Sequence, residues 1–189
     1  MIVLAREVFL CKCSTDVDDD LDGVDSLRFV DGAEHHLRLL DPVHHGDDHL
    51  ADFRSRLARG ERWLLGLLGD RLATYTWMHT RSRCEYPYLP GCAFLLPEDF
   101  GYGYDAWTPP DLRGLGLRRR AFAEELRRLR ALGKSSEASF FVAHQLEGAR
   151  RSLAVAGIGI VPLWRVALGC SSRPVSERLT DESDGIRPA

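Results

Sequence analysis

Hydrophobic and polar positions follow one another along the chain with the two spacings that distinguish strands from helices. In residues 47–59, apolar side chains recur every three or four positions and Gly60 follows, which predicts a helix that ends there. Residues 62–68 and 71–78 are apolar runs joined by the pair Gly69-Asp70, which predicts a β-hairpin. The first half of the chain therefore supplies a helix followed by two paired strands.

The second half of the chain continues this mixture of strands and helices. Residues 117–132 carry an apolar stripe opposite a row of arginines and stop before a glycine, so they predict an amphipathic helix. Residues 171–189 are polar and predict a disordered tail. A further helix is predicted over residues 146–156, and strands are predicted over residues 2–11, 93–96, 101–108, 139–143 and 158–168, the last as one strand or a pair.

Composition indicates an ordinary globular chain with unevenly placed charges. At 189 residues, with 44% hydrophobic and 28% charged residues, the chain fits one domain. Its formal net charge of −3 argues against non-specific binding to nucleic acid. Aspartates are concentrated in residues 16–31, however, and arginines in residues 113–130. An acidic and a basic stretch on one small protein favour an anionic ligand at one end and a cationic ligand at the other.

The cysteines and apolar runs bear on where such a chain works. Cys11, Cys13, Cys84, Cys92 and Cys170 match neither a disulfide framework nor a zinc template, so we expect reduced thiols in a cytoplasmic protein. The apolar runs fall well short of the roughly 20 residues that a membrane span needs, so no membrane association is expected.

The main candidate for a ligand-binding segment lies at residues 104–119. A predicted strand ends, a loop with Gly114 and Gly116 follows, and a helix begins. Backbone N–H groups without partners and the helix dipole together favour an anion such as phosphate at such a point. Arg118, with two further arginines after it, adds positive charge. The loop matches neither the Walker nor the dinucleotide-binding pattern, and a plain strand–helix connection with a solvated arginine face is the alternative.

This segment resembles the signature loop of the GNAT acetyltransferases. In that family a strand is followed by Arg/Gln-x-x-Gly-x-Gly/Ala, and here Arg113 fits the first position and Gly116 the central glycine. The predicted hairpin within residues 57–77 and the strand, helix and Gly-Ile pair within residues 140–158 are similar to the family's elements in the same order. The order of these elements makes the resemblance more specific than the loop alone.

The resemblance covers roughly residues 47–168 and implies the fold. It implies a GNAT-like single domain of the α/β (α+β) class over residues 1–170, followed by the tail. In such a domain a central mixed, mostly antiparallel twisted sheet is flanked by helices. The sheet is splayed at the cofactor cleft, where two neighbouring parallel strands separate, here those around Tyr104 and Val142.

The resemblance also implies acetyl-coenzyme A as the co-substrate and no metal. In such enzymes the backbone of the strand before the loop pairs with the pantetheine arm, and the loop amides hold the pyrophosphate. The implied coenzyme-binding residues are Ala106, Trp107, Thr108, Arg113, Gly114, Leu115, Gly116, Leu117 and Arg118.

Three positions depart from the family pattern. Arg118 stands where the family usually has glycine or alanine. Leu146 takes the place of an asparagine that often opens the next helix, and Leu153 that of the tyrosine that commonly protonates the leaving thiolate. The family's catalytic residues therefore do not transfer to this chain. These departures motivate the alternative of a coenzyme A-binding or regulatory module that has kept the fold and lost turnover.

Amide formation from a thioester needs a neutral amine, a stabilised oxyanion and a proton for the departing thiolate. Tyr102 and Tyr104 share one face of the strand before the loop, and a phenol can protonate a thiolate. His144, just after the splayed strand, is the alternative titrating group. These three are the candidate catalytic residues, with aromatic packing in the cleft as the alternative for both tyrosines.

Five histidines, His35, His36, His44, His45 and His49, lie within a window of fifteen residues. Their adjacent pairs point apart on a helix and no cysteine or glutamate completes a zinc spacing, so they are interpreted as acceptor-pocket lining or solvated surface. The resemblance places this region at one wall of the acceptor site, where the aspartates suit a cationic amine. We therefore expect an N-acyltransferase acting on a primary amine of a small molecule or peptide, with a homodimer left open.

Overall fold

The computed structural model describes residues 7–14, 26–86, 92–168, 174–180 and 185–189. The strands in this part are β1 Glu7–Ser14, β2 Leu27–Asp31, β3 Arg62–Leu68, β4 Arg71–His79, β5 Arg83–Glu85, β6 Ala93–Leu95, β7 Phe100–Trp107, β8 Ser136–Val142, β9 Ile160–Leu168, β10 Pro174–Arg178 and β11 Arg187–Pro188. The α-helices are α1 Asp47–Ala58, α2 Leu117–Ala131 and α3 Ala143–Ala154, and two 3₁₀ turns lie at Glu34–Leu39 and Pro110–Leu112. The predicted α+β class is confirmed.

Residue contacts group the chain into two compact units. The first contains the described residues of Met1–Asp18, Thr80–Tyr104 and Leu126–Ala189, and the second those of Asp19–His79 and Asp105–Glu125. The boundary runs through β7, which contributes to both.

In the first unit the strand order is β10-β9-β1-β8-β7, antiparallel except for the parallel pair β7 and β8. The parallel ladder runs from Phe100 opposite Ser136 to Gly103 opposite Ser139. A Cβ on Gly101 would lie 2.5 Å from the side chain of Leu129, so glycine lets α2 approach β7 closely. A second small sheet has the order β11-β6-β5. The mixed, mostly antiparallel sheet of the prediction is confirmed.

In the second unit the order is β7-β4-β3-β2, with β2, β3 and β4 antiparallel. The core of this unit is aromatic. Trp63 and Trp77 stack with ring centroids 5.4 Å apart, and Phe53 of α1 packs edge-on against both. Phe53, Trp63 and Trp77 are fully buried, so their removal from water is a main stabilising term of this unit.

Most predicted elements agree with the structure within a few residues. The helix predicted over 47–59 is α1, the hairpin is β3 and β4, and the helix predicted over 117–132 is α2. The helix predicted over 146–156 begins earlier, at Ala143, and β1 extends to Ser14. Residues 1–6 and most of the aspartate-rich stretch lie outside the described residues.

The prediction of a disordered tail is wrong for residues 174–180 and 185–189. β10 pairs antiparallel with β9, and β11 pairs with β6. Ile186 is 2% exposed and belongs to the apolar cluster of the first unit. Low hydrophobicity concealed these strands, because an edge strand needs few apolar residues once a neighbouring strand offers its backbone hydrogen bonds.

None of the described helices combines the length and the apolar character that a bilayer-spanning helix requires.

Candidate functional site

The loop after β7 combines a 3₁₀ turn with two glycines in the left-handed backbone region. The turn is Pro110–Leu112, and φ is +85° at Gly114 and +72° at Gly116. Such φ values favour glycine, and a Cβ at Gly114 would meet nothing within 4 Å. The backbone there is open on the side where a Cβ would stand. α2 begins at Leu117, directly after the second glycine, so the predicted strand, loop and helix follow one another as expected.

The start of α2 presents backbone donors to this loop. Arg120 N–H donates to Gly116 O at 3.2 Å, which is the first hydrogen bond of the helical type. The N–H groups of residues 117–119 precede that bond and have no intrahelical acceptor. Arg113 N–H instead closes the 3₁₀ turn on Pro110 O at 3.4 Å. Among the predicted pyrophosphate-binding residues, those after Arg113 are therefore the better amide donors, and the helix dipole favours an anion beside them.

Arg118 and Arg119 take different directions from the start of α2. The Arg118 guanidinium lies over the Phe122 ring, 5.2 Å from its centroid, and its Nη1 is 3.6 Å from Glu125 Oε2. The Arg119 Nη2 is the nearest atom to a Cβ built on Gly116, at 3.3 Å. Arg118 thus lies along its own helix while Arg119 brings positive charge to the loop. An arginine at the family's usual glycine or alanine position is accommodated because its side chain turns away.

Glu125 is a functional candidate that sequence reasoning missed. Its side chain is fully buried, and burial raises the pKa of its carboxyl to about 7, against the opposing charge of Arg118. A glutamate within an arginine-rich helix looks solvent-exposed in sequence. Its position on the apolar stripe, four residues after Ala121 and one before Leu126, was the available signal.

β7 carries a backbone irregularity at Asp105, whose φ is +48° although it is not glycine. Its carboxylate accepts a hydrogen bond from Arg56 Nη1 at 2.5 Å, and Arg56 also pairs with Asp52 one turn earlier on α1. Arg56 is 6% exposed and lies over the Phe53 ring. Asp and Asn enter the left-handed region more readily than other non-glycine residues, so Asp105 tolerates this kink in the backbone. Its ion pair with the buried Arg56 holds the kink in place.

The kink at Asp105 lies just beyond the end of the parallel ladder between β7 and β8. The last paired residues are Gly103 and Ser139, although β8 continues to Val142 and Tyr104 continues β7 within the first unit. Ser139 Oγ lies 3.1 Å from Gly103 O and also contacts the buried carboxylate of Glu137, so its single hydroxyl proton is shared between these two acceptors. The ladder thus ends before the strands do, as a splay requires. Sequence placed the separation near Tyr104 but named neither Asp105 nor Ser139.

Tyr102 and Tyr104 have parallel rings, with centroids 5.1 Å apart, but different surroundings. Tyr102 is 1% exposed, and its hydroxyl donates to the carbonyl of Glu85 at 2.7 Å. Burial raises the pKa of Tyr102 well above its ordinary value. Tyr104 is half-buried at the edge of the same apolar cluster. The surroundings of Tyr102 are those of a packing residue, so Tyr104 is the better candidate for an acid.

His144 is the second residue of α3, one position after the strand-to-helix junction, and its side chain lies outside the described part. Leu153, at the position of the family's tyrosine, is buried on the same helix. The structure therefore gives His144 a position near the predicted strand end without defining a contact.

Trp107 ends β7 and connects the loop to an aromatic cluster in the second unit. Its carbonyl accepts a hydrogen bond from Thr74 Oγ1 at 3.0 Å, and the same Oγ1 lies 3.1 Å from Thr108 Oγ1. Its indole stacks on Tyr75, with centroids 5.8 Å apart, and meets the His45 ring edge-on at 4.7 Å. The segment predicted to pair with a pantetheine arm is thus fixed on one side by β4.

His45 is 4% exposed, and both of its ring nitrogens are engaged. Nδ1 lies 3.2 Å from the Asp41 carbonyl and Nε2 lies 3.1 Å from the Tyr75 hydroxyl. The carbonyl can only accept, so Nδ1 carries the proton and Nε2 accepts from Tyr75. Burial lowers the pKa of His45. Over the described ranges, no group of three or more His, Cys, Asp or Glu side chains is arranged to hold a metal ion.

No protein-family model and no curated protein matches the sequence. Several solved structures have a similar fold. A GNAT-family acetyltransferase from Colwellia psychrerythraea has a TM-score of 0.59 at 10% identity, over 93% of this chain and 56% of that one. The chain thus spans little more than half of that protein.

Two further structures are covered more fully. AAC(6')-Iy, in complex with the bisubstrate analog CoA-S-monomethyl-acetylneamine, has a TM-score of 0.51 at 17% identity, over 68% of this chain and 88% of that one. The aminoglycoside antibiotic 6'-N-acetyltransferase AAC(6')-IG from Acinetobacter haemolyticus has a TM-score of 0.52 at 17% identity, over 67% and 88%. The chain has the fold of the GNAT acetyltransferases.

Proposed function

We propose that the chain is an N-acyltransferase that moves an acetyl or other acyl group from coenzyme A to a primary amine of a small molecule or peptide. The observation that carries the proposal is the junction of β7 and α2, where two left-handed glycines precede the open N-terminus of a 15-residue helix. The GNAT fold supports the same assignment.

The pyrophosphate would bind the amides of residues 114–118, with the Arg119 guanidinium beside them. The glycines allow the approach, because a Cβ at Gly114 would stand in open space on the ligand's side. The pantetheine arm would pair with the backbone of Ala106, Trp107 and Thr108, whose position is fixed from β4 by the Thr74 hydroxyl.

The acyl thioester would lie where the parallel ladder ends, beyond Gly103. Backbone N–H groups of β7 at the kink are the proposed donors to the oxyanion, since the left-handed residue Asp105 interrupts the regular strand pattern. Tyr104, the first residue after the ladder, is the proposed acid that protonates the departing thiolate. These roles need no metal ligand and no side-chain nucleophile.

The acceptor class is proposed from chemistry and from the fold's other members. One structure of similar fold carries an analogue that joins coenzyme A to acetylneamine, an amine-bearing sugar. Asp41, in the histidine-rich region, and Asp47 and Asp48, at the start of α1, offer negative charge to a cationic amine. We therefore expect polyamines, aminosugars and basic peptides to be the acceptors to test first.

The alternative is a coenzyme A-binding or regulatory module of the same fold. Leu153 favours it, because a buried leucine occupies the position of the family's thiolate-protonating tyrosine. Incubation with acetyl-CoA and spermidine, glucosamine, neamine or a lysine-containing peptide, followed by mass spectrometry, separates the two. Acetylated product supports the enzyme, and tight binding without product supports the module.

The loop assignment is tested by acetyl-CoA binding in a calorimeter. Gly116→Asp places negative charge and a Cβ where the pyrophosphate would lie, so the Kd should rise at least about 100-fold. Gly114→Val should have a similar effect through bulk.

Gly133→Asp is the matched control. Gly133 also has a positive φ, +77°, and no neighbour within 4 Å of a Cβ, but it follows the other end of α2. It carries the same backbone strain and should keep wild-type affinity. A folded Gly116→Asp protein with wild-type affinity would show that coenzyme A does not use this loop.

A further inference from the structure

The segment between the first 3₁₀ turn and α1 holds a histidine–aspartate pair. Asp41 Oδ1 accepts the backbone N–H of Val43 at 2.9 Å, and Asp41 Oδ2 lies 2.8 Å from His44 Nδ1. The hydrogen bonds from Val43 and His44 lower the pKa of the Asp41 carboxyl. An ionised carboxylate can only accept, so His44 Nδ1 carries a proton and a neutral His44 has its lone pair on Nε2.

His44 differs from its neighbour His45 in what its second nitrogen contacts. His45 is buried and uses both nitrogens internally, on Asp41 and Tyr75. The His44 side chain is 39% exposed, and within the described part of the chain Nε2 has no hydrogen-bond partner. An imidazole that is held through one ring nitrogen and is partly exposed can take up a proton on the other nitrogen and release it.

The pair lies next to the strand to which the coenzyme is assigned. The His44 ring packs against the Trp107 indole, with centroids 5.7 Å apart and planes inclined by 52°. The charged and titratable neighbours of His44 are Asp41 on its own segment and His45 beside it, with Asp105 acting on His45 from β7. The pantetheine arm proposed to pair with the backbone of Trp107 would therefore lie beside this ring.

We propose that His44 is the general base of the acyl transfer and that Asp41 is its positioning residue; the proposal rests on the proposed acyltransferase function. The acceptor nitrogen attacks the thioester carbon, and a carbon–nitrogen bond forms. The amine proton passes to His44 Nε2, the carbon–sulfur bond breaks, and the coenzyme A thiolate takes a proton from the proposed acid, Tyr104. The base then releases its proton to water, and the acid takes one up from water.

The test measures kcat/KM for the best acceptor among spermidine, glucosamine, neamine and a lysine-containing peptide, at saturating acetyl-CoA. His44→Ala and His44→Gln should lower it about 100- to 1000-fold near neutral pH while acetyl-CoA affinity stays unchanged. The loss should shrink at high pH, where hydroxide can take the amine proton in place of His44, and added imidazole should restore part of the His44→Ala activity.

Asp41→Asn separates positioning from general base catalysis. It should cost less than loss of His44, because the imidazole stays in place but loses the partner that orients it, and it should lower kcat with little change in the KM of the acceptor. Asp70→Asn, the same substitution at an exposed aspartate in the turn between β3 and β4, is the control and should behave as wild type.

The outcomes distinguish failure of the His44 assignment from failure of the proposed acyltransferase function. Wild-type rate and pH profile in the folded His44 variants overturn the base assignment and leave the acyltransferase intact. Failure of the wild-type chain to bind acetyl-CoA, or to acetylate any of the four amines, overturns the proposed function and His44 with it. Loss of rate that imidazole does not restore and that is equal at every pH assigns His44 to packing and also overturns the proposal.

Discussion

At the scale of single residues, Tyr102 and Tyr104 of β7 have different proposed roles, the first in packing and the second as the acid. Tyr104→Phe should lower kcat about 10- to 1000-fold with little change in acetyl-CoA affinity, because it removes only the proposed proton donor. Steady-state kinetics at saturating acetyl-CoA measure this effect.

Tyr102→Phe is the matched control for Tyr104→Phe. It should keep kcat but lower the free energy of unfolding by about 1 kcal/mol, because the buried hydroxyl loses its bond to the Glu85 carbonyl. Full activity in the Tyr104 variant would transfer the acid role to water or to His144. Low activity in both would show that the rings act through packing.

Sequence reasoning at this scale found side-chain types but not their surroundings. The glycines were predictable, because positive φ values and close approach select glycine locally. Arg56 and Asp105 were not, since they lie 49 positions apart and only the fold brings them together. Glu125 was missed because a charged residue in an arginine-rich helix looks solvent-exposed in sequence although this one is buried. The Asp41–His44 pair was missed because the sequence does not show that these two side chains meet.

At the scale of elements, the sequence predicted interiors better than boundaries. Continuous apolar runs predicted the two strands of the hairpin, and apolar stripes predicted α1 and α2. The start of α3 at Ala143 was missed because no capping side chain marks it. β10 and β11 were missed because pairing with a neighbouring strand, rather than apolar content, stabilises them.

The end of the chain provides a stability prediction for an element. Ile186→Ala should lower the free energy of unfolding by about 2–4 kcal/mol, because Ile186 is 2% exposed within the apolar cluster of the first unit. Urea unfolding followed by circular dichroism measures the change.

Leu179→Ala is the control for Ile186→Ala, since Leu179 follows β10 and is 42% exposed, and it should have an effect below about 0.5 kcal/mol. Equal, small effects of both substitutions would show that the end of the chain does not pack against the apolar cluster of the first unit.

At the scale of the whole molecule, Glu125 links folding to pH. Its pKa is about 7 in the folded protein and 4.5 ordinarily, so between these values the folded state binds the proton more tightly than the unfolded state. Unfolding free energy therefore falls as pH rises from 4.5 to about 7 and then stays level, with a total change of up to about 3 kcal/mol.

Glu125→Gln removes this dependence, because the amide does not ionise. The variant should gain stability relative to wild type above pH 7 and lose that advantage near pH 5, as measured by urea midpoints at pH 5, 6, 7 and 8. His45 contributes a slope of the opposite sign, since its pKa is lowered, but it is common to both proteins and cancels in the difference. A difference that does not vary with pH would place the Glu125 carboxyl at its ordinary pKa.

The left-handed residue in β7 also determines which changes of length the chain tolerates. Side chains alternate between the faces of a strand, so removing one residue transfers all later side chains to the opposite face. Deletion of Asp105 would re-aim Trp107 and misdirect the glycine loop, whereas Asp105→Asn or Asp105→Gly keeps a backbone that can adopt φ +48°. Among natural variants we expect substitutions here by Asn or Gly, and insertions or deletions only outside the segment from Gly101 to Leu117.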